Sequence, residues 1–390
     1  MENNITIVDT KKNNNIIHSY AFITAIIMCI NSYVVFATGT VYIIIKILLA
    51  ICLFISFLAK NKIEYIKFKP FHFALLCYLF YTISIAIADI WIGYFITIFV
   101  FIIIFLIITS INFNKEEIIF IINFLHIVCI VFSFIIIISN PLIGTRLNRT
   151  AINFLTNTAN ANMISYFVSI GAVISWIKLL NKTNLLRDVF SLIIFLYVLL
   201  LVASRGGFLC FLVGSICIFL TRWKLNKLKF VIICLAIFII SLIIISNVNI
   251  IIKYVPMARR ILIFDTYSDS NGRMDIWNNV FSNMTRTELI FGSGHVRISD
   301  ITTTGLGAHN WYINILFSFG IIGLIFFVFF VIIVGFNFSI YSSWFSMAFL
   351  SINIINSMVE ESEYIFWPTL ILAVIIGKCS KKNDEILPYI

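Results

Sequence analysis

Apolar runs long enough to cross a bilayer recur almost end to end in this 390-residue chain, and one long polar stretch, Asn247 to Ala308, interrupts them. A hydrocarbon core takes roughly 20 residues of helix per crossing, and backbone groups inside it must be satisfied within the chain, which a helix does by itself. Bounded by charged or polar clusters, the runs cover approximately 17–37, 41–58, 71–88, 91–110, 118–139, 159–180, 189–203, 206–221, 230–246, 309–336, 342–359 and 364–377. The expected fold is all-α: a polytopic integral membrane protein with about twelve transmembrane helices. It forms a single helical membrane domain over 1–390, and the loop 247–308 lies between the ninth and tenth helices. The seventh and eighth runs are short and nearly continuous, so the turn between them must sit near one membrane face.

Composition supports that class. Hydrophobic residues make up 61% of the chain and charged residues only 11%, against about a quarter charged in soluble domains. The net charge of +10 would suggest nucleic acid in a soluble protein. Here the lysines sit in short loops between apolar runs, where they orient the chain, and nucleic acid is excluded as a partner. The eight cysteines all lie in apolar runs or at the C-terminal end, with neither a disulfide framework nor a metal spacing. Met1 to Asn15 is polar and lacks the apolar core and cleavage site of a signal peptide, so the first run is expected to be retained.

Placing both termini in the cytoplasm puts most lysines on the inner side. The basic residues left outside are Arg146, Arg149, Arg205, Lys253, Arg259, Arg260, Arg273, Arg286 and Arg297, and all but Lys253 are arginine. The guanidinium fork grips oxyanions bidentately and stays charged, so such a bias fits a phosphate-bearing ligand.

Several of these residues could carry chemistry. Arg205, within Ala203-Ser204-Arg205-Gly206-Gly207, interrupts an apolar stretch, and an arginine near membrane depth is costly enough to suggest a function; the alternative is a snorkelling side chain that marks the turn. Arg273 follows Ser270-Asn271-Gly272 and opens a helical pattern in which Trp277, Val280, Phe281 and Met284 recur. That helix would rest its apolar face on the outer leaflet and place Arg273 in a first turn that favours anions; otherwise Arg273 is a surface residue of an interfacial helix. Phe291-Gly292-Ser293-Gly294 makes a flexible turn, with His295 behind it as a solvated residue. His309 begins a run beside Asn310, at the expected boundary of water and lipid, and imidazole ionises near neutral pH, as general-base work requires. The alternative is an interfacial anchor like Trp311 and Tyr312. His18, His72 and His126 are expected to pack or hydrogen bond. Arg146 and Arg149 precede Asn157-Thr158-Ala159-Asn160-Ala161-Asn162, whose amides could bind sugar hydroxyls or cap a helix. Glu360, Glu361 and Glu363 could form ion pairs with the outer arginines, or one could assist the base.

Ser204-Arg205-Gly206, Gly272-Arg273 with Trp277, Phe291-Gly292-Ser293-Gly294, His309-Asn310-Trp311-Tyr312 with Gly320-Ile321-Ile322-Gly323, and Glu361-Ser362 before Trp367-Pro368 together resemble the O-antigen ligase and polymerase superfamily. The first half of the chain is similar in layout, through Arg146 and Asn160-Ala161-Asn162, with alanine where the family often has proline. The resemblance implies a multi-pass glycosyltransferase of the bacterial inner membrane that works at the periplasmic face without metal or cofactor. Its donor and acceptor would be oligosaccharides on undecaprenyl diphosphate, with the lipid bilayer and a chain-length regulator protein as further partners. Arg205 and Arg273 would hold the diphosphate, and His309 would take the proton of the attacking hydroxyl. Arg146, Arg149, Asn160, Asn162, Asn310 and Glu361 would contribute to binding. The Ser-Arg-Gly-Gly and His-Asn-Trp-Tyr forms are more similar to the polymerase branch. A ligase passing the glycan to lipid A-core is the alternative, and a lipid-linked glycan transporter is the alternative from another class. A transporter would show charged or broken helices near the midplane and often two related halves; here the polar residues gather at one face.

Overall fold

The computed structural model describes residues 21–29, 40–60, 69–88, 92–140, 152–154, 157–159, 161–181, 184–222, 246–247, 250, 252–253, 273–294, 296, 298–301, 307–359 and 363–380. Residues 21–29 are helical. The helices that follow are α1 (Thr40–Lys60), α2 (Pro70–Ala88), α3 (Ile92–Ser110), α4 (Lys115–Ser139), α5 (Ala161–Asn181), α6 (Leu185–Val202) and α7 (Arg205–Arg222). Beyond the polar stretch come α8 (Arg273–Asn283), α9 (Arg286–Phe291), α10 (Ile298–Ile301), α11 (Trp311–Asn337), α12 (Trp344–Val359) and α13 (Glu363–Ser380). Among the described residues, α2, α4, α5, α6 and α11 are each long and apolar enough to cross a membrane. The chain is a helical, multi-pass membrane protein, with one exception to the all-α expectation. Ile152–Phe154 (β1) and Asn157–Ala159 (β2) form an antiparallel hairpin ahead of α5, so Asn157 lies in a strand and the helix starts two residues later than its apolar pattern. Residues 230–245 of the run expected over 230–246 lie outside the described residues.

Local signals set several helix starts. Asn114 and Glu117 form a reciprocal capping box at α4, which satisfies N–H groups that the first turn leaves unpaired. At the far end, the Lys378 ammonium donates to the Thr109 and Ile111 carbonyls at 2.7 and 2.6 Å, a cation on the C-terminal carbonyls of α3. The packed interior is largely aromatic. Phe105, Phe330 and Trp367 meet at ring centroid distances of 5.6 to 6.0 Å, binding α3, α11 and α13 into one core.

Lys178, near the end of the run expected over 159–180, lies buried inside the bundle, where its ammonium donates to His126 Nδ1 at 3.1 Å. Lysine has no acceptor, so that ring nitrogen accepts and Nε2–H donates to Ser175 Oγ at 2.8 Å. Ser175 in turn meets Ser191, whose hydroxyl donates to the Asp188 carbonyl. This buried chain ties α4, α5 and α6 together, with His126 in the hydrogen-bonding role its place in an apolar run suggests.

The main departure from expectation is in α11. The run 309–336 reads as one continuous span, but Gly320 has φ 66° and ψ −174°, a conformation essentially confined to glycine. Residues fifteen apart in a straight helix stand about 22 Å apart, yet the Tyr312 and Phe327 rings lie 6.2 Å apart. The two arms, 311–319 and 321–337, therefore fold back on each other as a V. Arm 321–337 runs antiparallel to α2, with Phe71 against Phe338 at one end and Tyr78 against Phe327 further along.

Candidate active site at one end of the bundle

Three sets of residues carry the candidate site. The first is the turn between α6 and α7. Ala203 closes α6 in the left-handed conformation, its N–H reaching the Leu199 and Leu200 carbonyls. Ser204, fully buried, then caps α7: its hydroxyl accepts from Gly207 N at 3.3 Å and donates to Asn162 Oδ1 at 3.2 Å. A Cβ on Gly207 would stand 2.5 Å from that of Ser165, so glycine is what lets α7 begin against α5. Arg205 is thereby fixed as the first residue of α7, half-buried. Asn162 supports the turn that presents Arg205, with its side-chain amide oxygen engaged by Ser204.

The second set surrounds His309. Arg273 is the first residue of α8, as the Ser-Asn-Gly-Arg pattern suggests. One turn on, the Trp277 indole N–H donates to the Ala308 carbonyl at 2.8 Å. Residues four apart share a helix face, so Arg273 lies on the face that meets the chain entering His309. The apolar side of α8 does not face lipid as expected. Ile276 and Val280 are buried against Ala308, Ile298 and Phe317, with Trp277 and Met284 packed beside them, while Phe281 is exposed. His309 is half-buried with φ 50°, a left-handed backbone uncommon outside glycine. Asn310 follows as the cap of α11, its Oδ1 accepting from Tyr312 N and Ile313 N at 3.0 and 3.1 Å. Among the described residues, the buried indole N–H of Trp311 has no hydrogen-bond partner.

The third set joins the polar stretch to the break in α11. An interrupted helix leaves its last carbonyls without intrahelical partners. Ser293 N donates to Phe317 O at 2.7 Å and Gly294 N to Ser318 O at 3.2 Å. The Tyr81 hydroxyl, from α2, lies 3.0 Å from Phe319 O and 3.1 Å from Phe291 O. Two glycines permit the approach. A Cβ on Gly292 would meet Ser318 O at 2.2 Å, and one on Gly320 would meet Ile290 O at 2.2 Å. The Phe-Gly-Ser-Gly turn and the Gly320 break are thus two halves of one backbone latch. Tyr81 was not singled out by the sequence, because a tyrosine in an apolar run carries no local signal of a partner 210 residues away. Tyr81→Phe is expected to destabilise the latch by about 0.5–1.5 kcal/mol, the usual net worth of a hydrogen bond that is not fully buried; thermal unfolding of the purified protein checks this.

Helix α9 leads into the latch through a capping box, Thr285 N to Glu288 Oε2 at 2.7 Å and Glu288 N to Thr285 Oγ1 at 3.2 Å. The Thr285 backbone N–H, then its hydroxyl, hold the Glu288 carboxyl below the ordinary glutamate range. A pKa lower in the folded than in the unfolded state adds stability above the ordinary value and loses it as pH falls through the folded one. Amide exchange at Leu289 and Gly292, whose N–H groups bond to Thr285 O and Glu288 O, is expected to show weaker protection at about pH 3 than at about pH 6 after intrinsic-rate correction. In Glu288→Gln that difference should vanish.

Arg273 and His309 are therefore brought onto adjoining elements, and Arg205 and Asn162 onto another pair. Helix α12 links the two sets: Cys210 of α7 bonds to its Ile352 carbonyl, and Tyr312 pairs with its Ser357. Arg146, Arg149, Asn160, His295 and Glu361 lie outside the described residues. Among the described residues, no cluster of His, Cys, Asp and Glu has the arrangement of a metal site. No curated protein matches the chain. Residues 190–328 match the family described as O-Antigen ligase, and the matched stretch holds Arg205, Arg273, the Gly292–Gly294 turn, His309 and Gly320. Over residues 190–328, about a third of the chain, the protein is similar to the O-antigen ligase/polymerase superfamily, which this match supports.

Proposed function

We propose that the protein is a polymerase of O-antigen or a related surface polysaccharide, joining undecaprenyl-diphosphate-linked oligosaccharide units at the periplasmic face. The observation that supports this reading is that Arg205 and Arg273 each open a helix, the second one turn before Trp277, whose indole bonds to Ala308 beside His309. A helix N-terminus and a guanidinium both favour an oxyanion. The two arginines would bind the diphosphate and stabilise charge as it leaves, without a metal. His309 would accept the proton of the acceptor hydroxyl as its oxygen attacks the anomeric carbon. The new C–O bond forms on the face opposite the phosphate C–O bond that breaks, so one displacement inverts the configuration. Arg146, Arg149, Asn160, Asn162, Asn310 and Glu361 complete the proposed binding region, Asn162 by supporting the Arg205 turn and Asn310 by setting the start of α11 beside His309.

A second reading is favoured by the family description itself: a ligase that uses the same donor and passes the finished glycan to lipid A-core. The two differ in acceptor. Purified protein in vesicles, given only the lipid-linked repeat unit and a chelator, is expected to build polymer. Product that forms only when lipid A-core is supplied would make it the ligase, and product lost on chelation would overturn the metal-free chemistry. In cells lacking the gene, core bearing a single repeat marks the lost polymerase, whereas bare core with accumulated lipid-linked polymer marks the lost ligase.

A further inference from the structure

Helix α9 is polar where it begins, at Thr285-Arg286-Thr287-Glu288, and apolar where it ends, at Leu289-Ile290-Phe291. Those three side chains are 41, 43 and 52% exposed, an unusual display for a segment read from its sequence as extramembrane. We propose that 289–294 is a re-entrant element seated in the bilayer, with lipid acyl chains covering Leu289, Ile290 and Phe291.

Three observations favour acyl chains over water or protein. Depth is the first. Phe291 O is bonded to Tyr81, two turns short of the end of α2 at Ala88, which sets the segment about 10 Å along the helix from that end. Continuity is the second: beside the contact, Phe80 is 79% exposed on α2, and Ile321 and Ile325 are exposed on the arm of α11 that follows the break. These are faces of spanning helices that a bilayer covers, and the α9 patch extends them. The third is backbone accounting. At hydrocarbon depth, irregular backbone is tolerated only where the protein satisfies it. Gly292 N bonds to Glu288 O, Ser293 N to Phe317 O and Gly294 N to Ser318 O, while Phe291 O lies within hydrogen-bond distance of the Tyr81 hydroxyl. A loop in water would have no need of these partners. The polar start of α9 would then sit among headgroups, with its apolar tip below them.

The test uses the unaltered full-length protein in phosphatidylcholine vesicles whose acyl chains carry a photoactivatable diazirine. After illumination, adducts are mapped by mass spectrometry. Labelling at 289–291 is expected at yields comparable to Phe80 and Ile325, and well above 285–287. Labelled Phe80 and Ile325 with unlabelled 289–291 would overturn the proposal. Absence of lipid adducts there, together with cross-links from 289–291 to a second copy of the chain, would overturn it in favour of a protein-covered patch.

Discussion

Replacing Gly320 by alanine is expected to destabilise the protein by roughly 3 kcal/mol or more, combining a backbone conformation that costs about 1–3 kcal/mol outside glycine with overpacking of similar size. The added Cβ would stand 2.2 Å from Ile290 O, 2.4 Å from Ile290 C and 2.6 Å from Phe291 N. All three are backbone atoms, so no side chain can swing aside. Relief requires withdrawing the 290–294 segment, which breaks the Ser293–Phe317 and Gly294–Ser318 hydrogen bonds and separates the two carbonyls that share Tyr81. Gly292→Ala fails for the reciprocal reason, at φ 94°. Ser293→Ala keeps its backbone N–H and should stay within about 0.5 kcal/mol of the parent. Thermal unfolding in detergent, read beside product formation, checks the series, and a Gly320→Ala protein as stable as the parent would remove the latch from the account.

Arg205→Ala and Arg273→Ala should each lower turnover by about 10²–10³-fold, the usual effect of losing a preorganised group that stabilises charge developing in the transition state. The amount of folded protein in the membrane should not change. Arg205 is half-buried, and the start of α7 is held by the Ser204 hydroxyl and Asn162. Arg273 likewise stands one turn from Trp277, which secures α8 to Ala308. Lysine at either position keeps the charge and loses the bidentate fork, so Arg→Lys variants should recover only part of the activity. The measurement is product per folded protein from a lipid-linked donor. Activity within about tenfold of the parent, worth only 1.4 kcal/mol, would remove that arginine from the diphosphate role.

The α6–α7 turn shows how much of such a site is local. Ser-Arg-Gly-Gly between two apolar runs locates a turn, a cap and an arginine at its rim, because capping and chain reversal depend on adjacent residues. Arg273 at the start of α8 is legible for the same reason. Other features depend on partners distant in sequence. The amphipathic pattern of α8 gives the buried face but not what buries it: a helix faces lipid or Ala308 and Phe317 with the same spacing of Ile276 and Val280. Asn162 could bind a ligand or a neighbouring helix, and only the packing of α5 against α7 engages its oxygen with Ser204. Lys178 reads as a charge near the end of an apolar run, with nothing local to name its partner, yet its ammonium reaches His126 on α4.

By itself, then, the sequence determined the membrane class, the approximate ends of most described helices, and which arginines and which histidine stand beside turns and caps. Each of these follows from hydropathy or chemistry within a few residues. The tertiary structure decided that the run after Asn310 is two arms and not one span. A glycine at φ 66° and a helical glycine have the same hydropathy, and only contact with Ile290, Phe291 and Tyr81 distinguishes them. It also decided that the polar stretch closes onto that break, because donors and acceptors far apart in the chain satisfy each other only once α2, α9 and α11 have packed.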